Sequence, residues 1–93
     1  MSEAYRLATE SDLPALVALL ADDPLGATRE TAGADLHPDY RAAFHAIDRD
    51  PHHELILAES GDRIVGMLQL SFLPNLTYHG GWRAQIESVR IAR

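Results

Sequence analysis

The sequence predicts an α/β fold in which two helices cover a sheet, with the elements in the order strand, helix, helix, strand, strand, strand. Two stripes of apolar residues spaced three and four positions apart indicate the helices. Three segments with alternating or continuous apolar residues, linked without long helical stretches, indicate an antiparallel three-strand meander at the C-terminal end. At 93 residues the chain is long enough for one small domain, over residues 1–93.

The first strand and the first helix come from the N-terminal residues. The strand is predicted over residues 5–8, with Tyr5 and Leu7 on one face and Arg6 on the other. Ser11 is a candidate N-cap of the helix, since a serine hydroxyl satisfies an unpaired N–H at a helix start. The apolar stripe of this helix consists of Leu13, Leu16, Val17 and Leu20.

The second helix follows a loop that is predicted over residues 22–37 from its glycine, proline and polar residues. Pro38 suits the first helical position, where no backbone N–H is needed. Asp50 is followed by a proline, which disfavours further helix at that residue. The buried face of the helix is predicted to consist of Tyr40, Phe44 and Ile47.

Three strands complete the predicted order. The strand over residues 54–59 is apolar on both faces and should be central, and a tight turn leads from it to the strand over residues 64–72. A loop over residues 73–82 precedes the last strand, residues 83–93. Strict alternation along this last strand predicts one buried face that carries Gln85, Glu87, Val89 and Ile91.

Composition and charge exclude several function classes. A net charge of −6 and a pI near 5.1 argue against binding to nucleic acid or to an anionic membrane surface. The chain has no cysteine, so disulfides and thiolate chemistry are excluded. The absence of a long apolar run and of a signal peptide predicts a cytoplasmic location. The lack of lysine and the abundance of alanine suggest a high-GC bacterial genome.

The polar residues of the last two strands are the candidate functional residues. The five histidines show no spacing typical of metal ligands, so no metal site is predicted. A Ser-His-Asp triad stays open, although no nucleophile-elbow motif supports it. In a meander the strand ends adjoin, which brings together Gln69, Ser71, Gln85 and Glu87. This group is either a hydrogen-bonded cluster that fills the sheet or a catalytic site, because a carboxylate beside aliphatic side chains makes a good proton acceptor.

Four segments in succession carry a resemblance to a known family. They are residues 5–9 together with Asp12, residues 22–26, residues 64–70 and residues 80–91. In this order the chain resembles the N-terminal half of the GNAT family of acetyl-coenzyme A-dependent N-acetyltransferases. The resemblance implies a GNAT-like sheet and a reaction in which an amine attacks the thioester of acetyl-coenzyme A directly.

The resemblance also implies roles for individual residues. A carboxylate on the fourth strand commonly takes the proton of the amine in this family, and Glu87 matches that position. Gln69 and Gln85, together with Tyr78 and Trp82 from the preceding loop, are then the candidate substrate-binding residues. The substrate is expected to be a small-molecule or peptide amine.

The end of the last strand is implied to bind the cofactor. The family pairs the pantetheine arm of acetyl-coenzyme A with this strand as if adding another strand. The matching residues here are Val89, Arg90 and Ile91, whose backbone N–H groups are also suited to polarise the thioester oxygen.

The chain departs from the family at its C-terminal end. The pyrophosphate-binding loop and the later strand and tyrosine would follow Ile91, and the sequence ends at Arg93. We therefore expect the second half of the fold to be absent and the 93-residue chain to be inactive alone. Its last strand should be covered by that missing half or by another copy of the chain. The alternative is a non-catalytic binding or assembly module that pairs through its C-terminal strand.

Overall fold

The computed structural model describes residues 3–22, 25–26, 30 and 36–92. The principal elements are β1 (Glu3–Leu7), a 3-10 turn (Glu10–Asp12), α1 (Leu13–Ala21), α2 (Pro38–Arg49), β2 (His53–Ser60), β3 (Arg63–Pro74) and β4 (Trp82–Ile91). The predicted α/β class and the predicted order of elements are therefore confirmed. The prediction of a loop over 22–37 falls mostly outside the described residues, and none of the described helices is long and apolar enough to cross a membrane.

The four strands form one antiparallel sheet in the order β1-β2-β3-β4. β2 lies between β1 and β3, as its apolar residues on both faces predicted. Both β2 and β3 extend beyond the predicted bounds, β3 by two residues at its C-terminal end to Pro74. The turn between them places Gly61 at a φ of +64°, a left-handed conformation that glycine adopts without a steric penalty.

Both helices lie on the same face of the sheet, and the hydrophobic core fills the space between. α2 packs on β2, and α1 packs on β3 and β4. The fully buried side chains at the centre are Leu16 of α1 and Leu57 of β2, joined by Phe44 of α2 and Met67 of β3. Fully burying one such side chain contributes about 1.5–3 kcal/mol. The predicted stripe of α1 is thus confirmed as its core-facing side.

Asp12, rather than the predicted Ser11, organises the start of α1. Its carboxylate accepts hydrogen bonds from the Thr9 backbone N–H at 2.7 Å and from Thr9 Oγ1 at 3.0 Å. Arg6 of β1 adds a bidentate ion pair at 2.8 and 2.9 Å, and it also pairs with Glu59 of β2. The Arg6 guanidinium is the main reason why the pKa of the buried Asp12 falls to about 2. This cluster fastens β1 and β2 to the first turn of α1.

β4 contains a bulge that overturns the predicted faces. Glu87 pairs with Gln69, whereas Arg90 pairs with Met67, so Ser88 and the residue after it oppose a single residue of β3. Ser88 has a φ of +56°, in the left-handed region. The prediction that Val89 and Ile91 share a face with Gln85 and Glu87 is wrong, because the extra residue shifts the alternation by one position.

The second face of the sheet is apolar and is not covered by any element among the described residues. The exposed hydrophobic side chains on this face are Tyr5, Leu7, Ile86, Val89 and Ile91. The last three are 60%, 52% and 75% exposed, so the prediction that β4 is buried is wrong for the described chain.

Candidate active site

The polar residues of β3 and β4 come together as predicted. The strand register pairs Gln69 with Glu87 and Ser71 with Gln85, all on the face that carries the helices. Gln85 Nε2 donates a hydrogen bond to Glu87 Oε1 at 2.5 Å. Glu87 is exposed rather than set among buried aliphatic side chains, which corrects the environment predicted for it. Its carboxylate is therefore accessible from solvent and held by one amide donor.

The face that carries Glu87 continues into a cavity between the helices and the sheet. The cavity has a volume of about 150 Å³ and is lined mostly by aliphatic side chains of both helices. Gln69 and Ser88 lie on its sheet side, and Tyr40 lies on its helix side. The apolar core and the polar group of the sheet thus meet at Gln69.

The outer backbone edge of β4, next to the bulge, is where the cofactor is predicted to bind. β4 has a strand partner on one side only within the described residues, so the N–H and C=O groups of its other edge face away from the sheet. Gly66 of β3 lies directly behind this stretch, where an added Cβ would stand 3.3 Å from both Arg90 O and Ile91 Cδ1. The lack of a side chain at this glycine therefore lets β4 rejoin β3 closely after the bulge. Arg90 itself points to the helix face, as the partner of Met67.

The two aromatic residues predicted to bind substrate are not brought to Glu87. Tyr78 is 94% exposed in a turn (Thr77–Gly80) where it and His79 both adopt left-handed backbone angles, with φ of 53° and 58°. Trp82 pairs with Pro74 and, by alternation, belongs to the face opposite Gln85. Its ring lies 5.2 Å from the ring of His52 between centroids.

A line of polar side chains next to the predicted group is a feature that the residue pattern did not identify. Ser71 is buried, and its hydroxyl is 2.8 Å from His53 Nδ1, while His53 Nε2 is 3.4 Å from Asp50 Oδ2. The backbone N–H of His52 donates to Asp50 Oδ1 at 2.9 Å and is the main cause of the lowered pKa of Asp50. Ser71 was in the predicted polar group, but its contact with His53 requires the register of β2 against β3.

No group of three or more histidine, aspartate or glutamate residues is arranged to hold a metal ion within the part of the chain that the structure describes. The residues brought together at the candidate site are acid-base and amide groups: Glu87, Gln85, Gln69 and Ser71 with its partner His53. Such a set can bind an ammonium group and accept protons from it.

Comparisons with solved structures place this arrangement among known folds. A transcriptional regulator from Bacillus halodurans superimposes with a TM-score of 0.93 and is 49% identical, over 98% of this chain and 61% of that one. A Trypanosoma brucei acetyltransferase has a TM-score of 0.70 and is 25% identical, over 98% of this chain and 61% of that one. A predicted acetyltransferase from Clostridium acetobutylicum, solved with acetyl-coenzyme A, shares the fold with a TM-score of 0.67 at 18% identity, over 97% of this chain and 60% of that one.

The chain spans about three fifths of the length of these solved structures. No curated protein matches it. The family model described as acetyltransferase (GNAT) family matches residues 13–93, which includes α1, α2 and the whole β2–β4 meander. The chain therefore belongs to the GNAT family of acetyltransferases.

Proposed function

We propose that the protein transfers an acetyl group from acetyl-coenzyme A to an amine by direct attack. The observation that carries the proposal is the position of Glu87 on β4, between the Gln69 and Gln85 side chains and one residue before the bulge. The amine nitrogen forms a bond to the thioester carbonyl carbon, the carbon–sulfur bond breaks, and the sulfur leaves with coenzyme A. Glu87 accepts the proton that the nitrogen loses.

The amide side chains supply the rest of the amine site in this proposal. Gln69 is the register partner of Glu87, and Gln85 lies two residues before Glu87 on the same face; each offers one oxygen that accepts a hydrogen bond from an ammonium group. Because Gln85 already donates to Glu87, it also holds the carboxylate in one orientation. Tyr78, in the turn before β4, and Trp82, at the start of β4, stay predictions as substrate-binding residues.

The open edge of β4 fits the pantetheine arm of acetyl-coenzyme A. Val89, Arg90 and Ile91 form the C-terminal part of β4, which is an edge strand of the described sheet, and such an edge suits an extended amide-bearing ligand. The cofactor supplies the activated acetyl group when it is bound. The similarity of the fold to the Clostridium acetobutylicum protein, whose structure contains acetyl-coenzyme A, supports this assignment.

The 93 residues supply only part of the acetyl-coenzyme A site in this proposal. Since the chain spans about three fifths of the solved relatives, we propose that the remaining cofactor contacts lie outside the 93 residues and that the chain alone does not acetylate amines. We place the protein in the cytoplasm of a bacterium, where acetyl-coenzyme A and amines are both available. Acetyl-coenzyme A binding by the pure 93-residue chain in calorimetry would contradict the expected inactivity.

The test of the function uses the longest protein that the gene encodes. Glu87→Gln keeps the shape of the side chain and removes the proton acceptor, so kcat/KM toward a responsive amine should fall by roughly 10²–10⁴. Glu3→Gln, at an exposed position of β1, is the matched control and should leave kcat/KM unchanged. Thiol release from acetyl-coenzyme A with a panel of amines measures both. Equal rates for Glu87→Gln and the wild type across pH would remove Glu87 from the reaction.

A non-catalytic assembly module is the second candidate, favoured by the open edge of β4 and by the apolar side chains beside it. Ile86 and Ile91, on the same uncovered face, are 60% and 75% exposed. An unpaired strand edge next to such a face pairs readily with another chain. Light scattering distinguishes the candidates: a concentration-dependent dimer without thiol release favours the module, and a monomeric protein that acetylates amines excludes it.

A further inference from the structure

The line Asp50–His53–Ser71 connects the end of α2 with the polar group on β3 and β4. Ser71 and Asp12 are the two buried polar or charged side chains that stand out among the described residues. Asp12 has a structural role at the start of α1, but the Ser71 hydroxyl faces a histidine ring at 2.8 Å. That ring in turn faces a carboxylate at 3.4 Å. A buried hydroxyl between an imidazole and a candidate amine site calls for a chemical explanation.

The partners of His53 determine the direction in which a proton can move between Ser71 and His53. An ionised carboxylate only accepts hydrogen bonds, so Asp50 beside Nε2 favours, of the two neutral tautomers of His53, the one that carries its hydrogen on Nε2. Nδ1 then has a free lone pair, and the Ser71 hydroxyl donates to it. With its hydrogen directed toward His53, the Ser71 oxygen keeps its lone pairs for a donor on another side.

Ser71 is a neighbour, in the strand register, of the residues of the proposed amine site. It is the register partner of Gln85, and Glu87 is two residues further along β4 on the same face. Diagonal neighbours of this kind are about 7–8 Å apart across an antiparallel pair. An ammonium group placed between them can donate one hydrogen to the carboxylate and another to the serine oxygen.

We propose, on the basis of the function proposed above, that Ser71 and His53 form a second route by which the amine loses its proton. The nitrogen–hydrogen bond of the ammonium breaks as Ser71 Oγ takes that proton, and the original Ser71 proton passes to His53 Nδ1. The products are a neutral amine and an imidazolium that is paired with Asp50. The side chain of His53 is 30% exposed, so the imidazolium then releases its proton to water. Ser71 is the catalytic residue of this route, and His53 and Asp50 are positioning residues.

The cavity beside the His53 ring is lined by several acidic residues. Asp48 of α2, Asp50 just after this helix and Glu54 of β2 line a cavity of about 200 Å³ together with His53, and β1 contributes Leu7 to it. His52 also contacts Asp50 and is the remaining ionisable neighbour. Among these acids, Asp50 contacts the ring, and its carboxylate stabilises the imidazolium once the Ser71 proton has arrived.

The test uses the longest protein that the gene encodes, in the Glu87→Gln background so that the second route alone is measured. The residual kcat/KM should rise with pH, because ionisation of the imidazole to its cation removes the lone pair that accepts the Ser71 proton. Adding Ser71→Ala should lower the residual rate by roughly tenfold or more and remove this ionisation. Adding Ser71→Thr, which keeps a hydroxyl, should retain both. A structural role alone would change stability but not the form of the pH profile.

Each result decides a separate question. One contrary outcome is that Ser71→Ala leaves the residual rate and its pH dependence unchanged, and another is that Ser71→Thr lowers the rate as much as Ser71→Ala. In either case the second route, a proton relay through Ser71 and His53, is wrong while Glu87 keeps its role. If the wild type acetylates no amine, the proposed function fails and the relay fails with it. Nitrogen-15 NMR of the histidine rings gives a measurement that does not depend on turnover. His53 with its hydrogen on Nδ1 would reverse the donor and overturn the relay even in an active enzyme.

Discussion

Replacement of Asp12 by asparagine tests how β1 is fastened to the first turn of α1. The substitution keeps the size and shape of the side chain and removes its charge. In the native protein this carboxylate accepts two hydrogen bonds from Arg6, at 2.8 and 2.9 Å, and two from Thr9, at 2.7 and 3.0 Å. An asparagine retains only one acceptor oxygen, so part of this set is lost along with the ion pair.

The magnitude follows from the pKa of Asp12. The Arg6 side chain and the Thr9 donors lower this pKa from 3.8 to about 2. Because one pKa unit corresponds to about 1.4 kcal/mol, the folded state stabilises the ionised form of Asp12 by about 2 kcal/mol. The folded pKa lies below the unfolded one, so this stabilisation is complete above the unfolded value. It is lost as pH falls through about 2.

Urea unfolding of the wild type and of Asp12→Asn at several pH values measures the effect. The variant should be less stable by about 2 kcal/mol at pH 7, and the difference should shrink as pH falls from about 4 to about 2. Asp62→Asn is a matched control at an exposed turn position and should stay within about 0.5 kcal/mol of the wild type. A loss of similar size at pH 7 and pH 2 would refute the electrostatic explanation and indicate that only the shape of the site matters.

Two further substitutions test the core and the bulge. Leu57→Ala, at a side chain that is 1% exposed, should lower the free energy of unfolding by about 2–5 kcal/mol in urea titrations. Leu76→Ala, at a side chain that is 96% exposed, should change it by less than about 0.5 kcal/mol. Ser88→Gly should raise the melting temperature, because relief of the left-handed conformation is worth about 1–2 kcal/mol and outweighs a chain-entropy cost of about 0.5–1 kcal/mol. A lower melting temperature for Ser88→Gly would show that the serine side chain itself stabilises the bulge.

Much of the fold is predictable from local patterns in the sequence. The apolar stripe of α1 predicts its buried face because residues spaced three and four positions apart lie on the same side of a helix. Pro38 and Asp50 mark the two ends of α2 through the restricted backbone of proline. The meander brings Gln69 opposite Glu87, since polar residues near adjoining strand ends meet whenever the connection is short.

Other features depend on information that local patterns lack. The bulge rests on a left-handed Ser88, and nothing in the residue type distinguishes it from an ordinary strand position. Strict alternation therefore placed Val89 on the wrong face. The family resemblance does not specify the direction of the Trp82 side chain, which alternation places on the face opposite Gln85, with its ring near that of His52. The contact between His53 and Ser71 arises from cross-strand register, which a single strand's sequence does not specify.

The order of strands in the sheet has a consequence for the path by which the chain folds. β2, β3 and β4 are consecutive neighbours, so they can pair through short connections. β1 pairs with β2 across a segment that contains both helices, with Leu7 opposite Ile56, and closing so long a loop costs more chain entropy. The meander should therefore form first and β1 should join late. The Arg6–Asp12 pair would then act mainly by slowing unfolding, and an Asp12→Asn variant should refold at nearly the wild-type rate in stopped-flow experiments.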